Sequence, residues 1–232
     1  TLRTWGDSES GLAEKLADHM EALDSAGPGA PTLAFLASGI EGLKVRITVK
    51  APDEEAAARL IESEDRIVRD LVGDIVFGVD EETMEHAVAG LLLSRGLTLA
   101  VAESLTGGLV ASRLVDVPGA SDWFRGGVVS YASDVKYRVL DVPAGPVVSA
   151  EAATAMATGV RALLGADVGL AVTGVAGPDS QEGQPRGTVF MAVALPDRDP
   201  VTIMAGLPGD RARVRQFACI SLLDLLRRAL SR

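Results

Sequence analysis

The chain has 232 residues, 47 % hydrophobic and only 4 % aromatic, with 22 basic and 32 acidic side chains and a formal charge of −10. That much apolar material builds one large domain or two small ones without metal or disulfide help, which excludes disorder; a core of Ala, Val and Leu suits helices on a buried sheet better than an aromatic-rich barrel. Residues 1–80 carry 8 basic and 16 acidic side chains (net −8) and residues 81–232 carry 14 and 16 (net −2), so the front repels phosphate backbones and argues against non-specific nucleic-acid binding.

The front reads as a small α+β module, residues 1–80. A capped helix is predicted from Ser8 to Leu23, a break at GPGAP, strands at Thr32–Ala37 and Leu43–Lys50, a helix at Pro52–Leu71 and a closing strand at Asp74–Phe77. Val45, Ile47 and Val49 alternate with polar residues, the pattern of a strand with one buried face. From Glu81 the rhythm becomes α/β. A helix at Glu81–Arg95 stops at Gly96, the apolar strand Leu97–Ala102 follows, and Leu109–Val115 is helical again. Gly127–Ser130 is strand-like, and Ser149 caps a helix through Leu164 with Met156, Val160, Leu163 and Leu164 on one face. Val168–Thr173 and Thr188–Leu195 are further strands, and Asp210–Leu230 is a terminal helix. The expectation is a layered α/β/α domain over 81–232, its sheet covered on both faces.

Cys219, the single cysteine, falls on the apolar side of that last helix and reads as a small core residue. No charged start precedes an apolar stretch, and Arg95 interrupts the run around Leu91–Ala102, so neither a signal peptide nor a membrane span is supported and a cytoplasmic protein is expected. The first residue is Thr1 rather than Met, which leaves room for a fragment or a processed product. One cysteine and two scattered histidines give no zinc spacing, so no metal is expected.

The stretch AESLTGG, Ala102–Gly108, ends a buried strand with an acid, two hydroxyls and two glycines. In α/β sheets the functional crevice lies beyond the carboxyl ends of the strands, and two glycines let the backbone approach a ligand. Ser104 is placed as a nucleophile, without the GxSxG of the hydrolase elbow; the competing reading is that Ser104 or Thr106 merely caps the next helix. His19 and His86 lie in helices beside Asp18 and Glu85 and read as solvated, which leaves lysine as the base. Residues 81–232 hold one lysine, Lys136, in SYASDVK after another strand. It is either a base facing the crevice with Ser130, Tyr131 and Ser133, or a surface residue. Ser133 and Lys136 also form an SxxK pair, but SDN and KTG elements are missing. Tyr131 and Lys136 are spaced YxxxxK and no GxGxxG follows a strand, against an oxidoreductase. The loop TGVAGPDSQEGQPRG, Thr173–Gly187, is long enough for a binding loop or lid. In GDR, Arg211 opens the last helix as a phosphate ligand or a solvated residue.

AESLTGG, SYASDVK, TGVAGP with PRGTV, and GDR, in this order and spacing, resemble the carboxy-terminal domain of the CinA family, the nicotinamide mononucleotide deamidases. LRTWG, FLASGIEGLKVR and GDIVFGVD resemble the KH-like middle module of full-length CinA proteins. Those begin with a molybdopterin-binding-like domain, of which nothing is seen here, so its pyrophosphatase activity is not expected of this chain. The resemblance implies an amide hydrolase that converts nicotinamide mononucleotide to nicotinate mononucleotide and ammonia, in pyridine nucleotide recycling and without a cofactor. Ser104 is then the nucleophile, Lys136 its base, and Tyr131 an orienting or relay group. Amides near Thr106, Gly107 and Gly108 bind the oxyanion or phosphate, and Thr173, Gly174, Gly177 and Arg211 contact the substrate. A homodimer is also implied. The loop reads SQEGQ after GPD where the family has a glycine pair.

The alternative is a non-catalytic nucleotide- or RNA-binding regulatory module. GIEG, Gly39–Gly42, is formally the GxxG of a KH domain, but that loop joins two helices and favours basic residues. Here it joins two strands, carries Glu41 and lies in the acidic segment.

Overall fold

A computed structural model describes residues 1–37 and 39–231; Ser38, within FLASGIEG, and Arg232 lie outside the described residues. The chain divides into two compact units, Thr1–Met84 and Glu85–Arg232.

The first unit has strands β1 (Leu2–Thr4), β2 (Thr32–Ala37), β3 (Leu43–Thr48) and β4 (Val76–Val79), with helices α1 (Glu9–Ala26) and α2 (Glu54–Val72). All strand pairs are antiparallel, in the order β2-β3-β1-β4. Leu2, Leu12, Leu16, Val45, Val68 and Val72 form its core. Ser8 and Asp53 cap the two helices through bonds from the Gly11 and Ala56 amides, as short polar side chains at that position do. Strand β1 has no counterpart in the sequence reading, because its middle residue is the charged Arg3. That side chain is buried, lies over the Phe77 ring and pairs with Glu41 at 3.6 Å. The closing strand begins at Val76, after a 3₁₀ turn over Gly73–Ile75. His19 corrects another expectation: far from being solvated, its Nε2 lies 2.8 Å from the buried Glu64 carboxylate between α1 and α2.

The second unit continues with α3 (Met84–Arg95), β5 (Leu99–Glu103), α4 (Leu109–Val115), β6 (Phe124–Val129), α5 (Ser133–Leu140), α6 (Ala150–Leu164), β7 (Val168–Gly174), β8 (Thr188–Ala194), β9 (Val201–Gly206) and α7 (Arg211–Leu230). The sheet order is β6-β5-β7-β8-β9, with β6, β5 and β7 parallel and β8 and β9 antiparallel. Strand β9 is another element that the sequence reading lacks. As an edge strand it leaves Val201, Ile203 and Met204 partly in solvent, which blurs its pattern.

One face of the sheet is lined by Ala100, Ala102, Ala171, Ala192 and Ala194, against Ala152, Ala153, Met156, Ala157 and Val160 of α6. Methyl-sized side chains let helix and sheet come close. At Gly169 an added Cβ would stand 1.9 Å from the Ala157 carbonyl oxygen, closer than any non-bonded pair tolerates. Leu163, expected on this buried face, is 51 % exposed; the inward positions follow 152, 153, 156, 157 and 160. Helix α7 packs on β7 and β8 and touches α4, which itself lies on β5 and β6. Cys219 is fully buried in α7. Among the described residues no helix is long and apolar enough to cross a membrane.

Candidate active site

The three parallel strands end at one place. Ser104 follows β5, Ser130 and Tyr131 follow β6, and Thr173 and Gly174 close β7. Their ends, the loop after β7 and the first residue of α7 enclose a cavity of about 290 Å³, lined among others by Ser104, Leu105, Tyr131, Ser133, Lys136 and Arg211. Of the residues expected in a site, Ser104, Tyr131, Lys136, Thr173, Gly174, Gly177 and Arg211 line this cavity, and Thr106, Gly107 and Gly108 do not.

Lys136 is the exceptional side chain. It comes from the first turn of α5 and is only 1 % exposed, so it is no surface lysine. Its Nζ donates to the Ser130 carbonyl at 2.6 Å and the Tyr131 carbonyl at 3.3 Å. Burial lowers its pKa, and the Glu182 carboxylate partly opposes that shift. A neutral amine has two N–H groups and one lone pair, so two carbonyl acceptors use its donors and leave the lone pair to take a proton. Ser104 is nearly buried, and among the described residues its hydroxyl has no hydrogen-bond partner. No described residue competes for that hydroxyl.

The reading in which Ser104 or Thr106 caps α4 is not what the structure holds. The cap belongs to Glu103, 1 % exposed, whose carboxylate accepts from the amides of Gly108 at 2.9 Å, Val110 at 3.1 Å and Ala111 at 2.8 Å. A carboxylate at a helix N-terminus is favoured by the exposed amides and the helix dipole. The Gly107 amide donates to the Ser104 carbonyl at 3.1 Å. The Gly107 and Gly108 amides are therefore already bonded and do not serve an oxyanion or a phosphate, a correction that follows from the acid folding back onto its own turn. Their positive φ values, 63° and 97°, make the sharp bend. The amides of Leu105 and Thr106 are left without a protein acceptor among the described residues, and Leu105 lines the cavity.

At the mouth, Arg211 bridges two walls, donating to the Gly177 carbonyl at 2.8 Å and to the Tyr131 hydroxyl. Tyr131 is 57 % exposed and lies at the rim. The Thr173 hydroxyl donates to the Val147 carbonyl at 2.7 Å, so it fixes the apolar wall of Val147 and Val148. The loop after β7 closes over that wall, where the Glu182 carboxylate accepts from the Val148 amide at 2.9 Å. Sequence reasoning passed over Glu103, Leu105, Glu182 and Arg215. The signals were an acid directly after an apolar run and two arginines four apart, Arg211 and Arg215, on one face of α7. Among the described residues no group of three or more His, Cys, Asp or Glu side chains could hold a metal ion.

Comparison with known proteins agrees with this architecture. The family model of the CinA C-terminal domain matches residues 81–230, and that of the damage-inducible protein CinA KH domain matches residues 1–78. The chain is 51 % identical to a CinA-like protein of Frankia casuarinae, over 99 % of this chain and 53 % of that protein. It is 38 % identical to a CinA-like protein of Dictyoglomus turgidum, over 99 % and 56 %. The chain thus spans about half the length of the curated relatives it matches. Among solved structures, competence damage-inducible protein A of Klebsiella pneumoniae superposes with a TM-score of 0.62 at 34 % identity, covering 64 % of this chain and 96 % of that one. The competence or damage-inducible protein of Enterobacter asburiae gives 0.61 at 29 %, covering 65 % and 99 %. Both domain models and whole-length identity lead to one conclusion: the chain belongs to the CinA family.

Proposed function

We propose that the second unit is an amide hydrolase that converts nicotinamide mononucleotide to nicotinate mononucleotide and ammonia through a Ser104–Lys136 dyad. The observation that carries this reading is a buried lysine, its pKa lowered by desolvation, lining the same cavity as a serine whose hydroxyl has no partner among the described residues. Neutral Lys136 takes the Ser104 proton, and the alkoxide attacks the carboxamide carbon. The carbonyl oxygen gains the negative charge and meets the amides of Leu105 and Thr106. One such preorganised donor contributes about 3 to 4 kcal/mol to the barrier reduction. Lys136 returns its proton to the departing nitrogen, ammonia leaves, and an acyl ester remains on Ser104. Water, deprotonated by Lys136, then cleaves that ester and restores the serine. Atoms balance as amide plus water giving acid plus ammonia.

Arg211 supplies positive charge at the mouth, where the 5′-phosphate of a nucleotide would lie, and Val147 with Val148 offers an apolar wall to a pyridine ring. A cytoplasmic location, expected from the sequence, and a homodimer, implied by the family resemblance, go with this reading. The test is ammonia release from nicotinamide mononucleotide by the purified chain, with Ser104→Ala and Ser133→Ala alongside. Ser104→Ala is expected to abolish turnover while its thermal unfolding shifts little, because the hydroxyl makes no bond to any described residue. Normal turnover in Ser104→Ala with loss in Ser133→Ala would transfer the nucleophile to Ser133, which also lines the cavity.

A further inference from the structure

Every amide from Gly107 to Ala111 is bonded within the nucleophile turn. Gly107 donates to the Ser104 carbonyl, Leu109 to the Thr106 carbonyl at 3.4 Å, and Gly108, Val110 and Ala111 to Glu103. What orients the two remaining amides comes from a distant part of the chain. Arg215, on the second turn of α7, donates from Nε to the Leu105 carbonyl at 3.0 Å and from Nη2 to the Thr106 carbonyl at 2.6 Å. Among the described residues it has no carboxylate partner; its bonds go to these two peptides.

Resting on the acyl-transfer reading above, we infer that Arg215 is the positioning residue that sets the oxyanion site. In a trans peptide the carbonyl and the following N–H point in opposite directions. The guanidinium that pins the Leu105 carbonyl therefore aims the Thr106 N–H away from itself. Pinning the Thr106 carbonyl in the same way aims the Gly107 N–H, which goes to the Ser104 carbonyl and holds the nucleophile's own peptide. A charged donor on a carbonyl also polarises that peptide and strengthens its N–H as a donor. Glu103 secures the turn through the α4 amides, so an anion holds N–H groups of the segment while a cation holds its carbonyls. The planar fork suits two carbonyls at once, which a lysine cannot match.

The experiment compares the full chain with Arg215→Ala and Arg215→Lys on nicotinamide mononucleotide and on its thioamide analogue. Sulfur is a poor hydrogen-bond acceptor, so the ratio of amide to thioamide rates reports an organised oxyanion site. Arg215→Ala is expected to lower kcat about 10²-fold with KM within about threefold, and to shrink the amide-to-thioamide ratio about tenfold or more. Arg215→Lys should fall between. If Arg215→Ala melts below the assay temperature, Arg215→Lys carries the same comparison. An Arg215 variant with kcat within about threefold of the parent, or with kcat lost at an unchanged ratio, overturns the inference. A parent chain that releases no ammonia overturns the deamidase reading and this one together; an active parent with an equally active variant overturns only this one.

Discussion

Replacing Lys136 by Met keeps the length of the side chain and removes its amine, so it separates the chemistry of the buried base from its packing. Two consequences follow. The first is catalytic: loss of a general base costs about 10²- to 10⁴-fold, and the parent's kcat/KM should rise with pH as Lys136 deprotonates, a limb absent from the residual activity of Lys136→Met. The second concerns stability. The folded pKa of Lys136 lies below its unfolded value because burial disfavours the ammonium. Between those two values the unfolded chain binds more protons, so stability rises with pH, by at most about 1.4 kcal/mol per pH unit from this group. The penalty is fully present below the folded pKa and gone above the unfolded one. Lys136→Met lacks the penalty but leaves the Ser130 and Tyr131 carbonyls without the amine, each at a cost of about 1 to 3 kcal/mol. Chemical denaturation of both proteins from neutral to alkaline pH measures this: the parent should gain on the variant as pH rises. Activity within tenfold of the parent, or a stability difference that is flat or of opposite slope, refutes a buried neutral base.

The Glu182 carboxylate raises the Lys136 pKa against burial, so Glu182→Gln should move the rising limb of the kcat/KM profile to lower pH; the amide oxygen can still accept from the Val148 N–H, and an unshifted limb means the two charges do not interact. Gly169→Ala should destabilise by about 1 to 3 kcal/mol or more, since its Cβ would meet the Ala157 carbonyl oxygen at 1.9 Å, whereas Gly90→Ala, in α3 with nothing within 4 Å, should stabilise by about 0.5 to 1 kcal/mol; thermal melts of the two distinguish close packing from a general glycine effect.

Apolar runs buried on both faces were legible in the sequence because composition alone marks them: β5, β7 and β8 lie close to the expected spans, α4 begins after its glycine pair, and α6 starts at its serine cap and runs through Leu164. Charge hid β1, because the buried Arg3 finds its partners, Phe77, Glu41 and the Asp80 carbonyl, more than thirty residues away. Seven of the ten expected site residues converge on one cavity, since each follows a strand or opens a helix and strand direction alone brings those ends together. Thr106, Gly107 and Gly108 do not join them, and of the three only the Thr106 amide is left free among the described residues: which amides of the turn are taken depends on where the Ser104 carbonyl and Glu103 reach, which spacing cannot encode.

The reversal of direction between β7 and β8 gives the second unit two unlike poles. Three parallel strands deliver their ends to the chemistry, while the turn from Leu195 to Pro200 between β8 and β9 emerges on the far side, exposed around Asp197 and Asp199. That pole carries no wall of the cavity. A reporter peptide spliced into it would ride on the domain as a passenger, whereas the same splice after Gly177 would dismantle the reaction chamber.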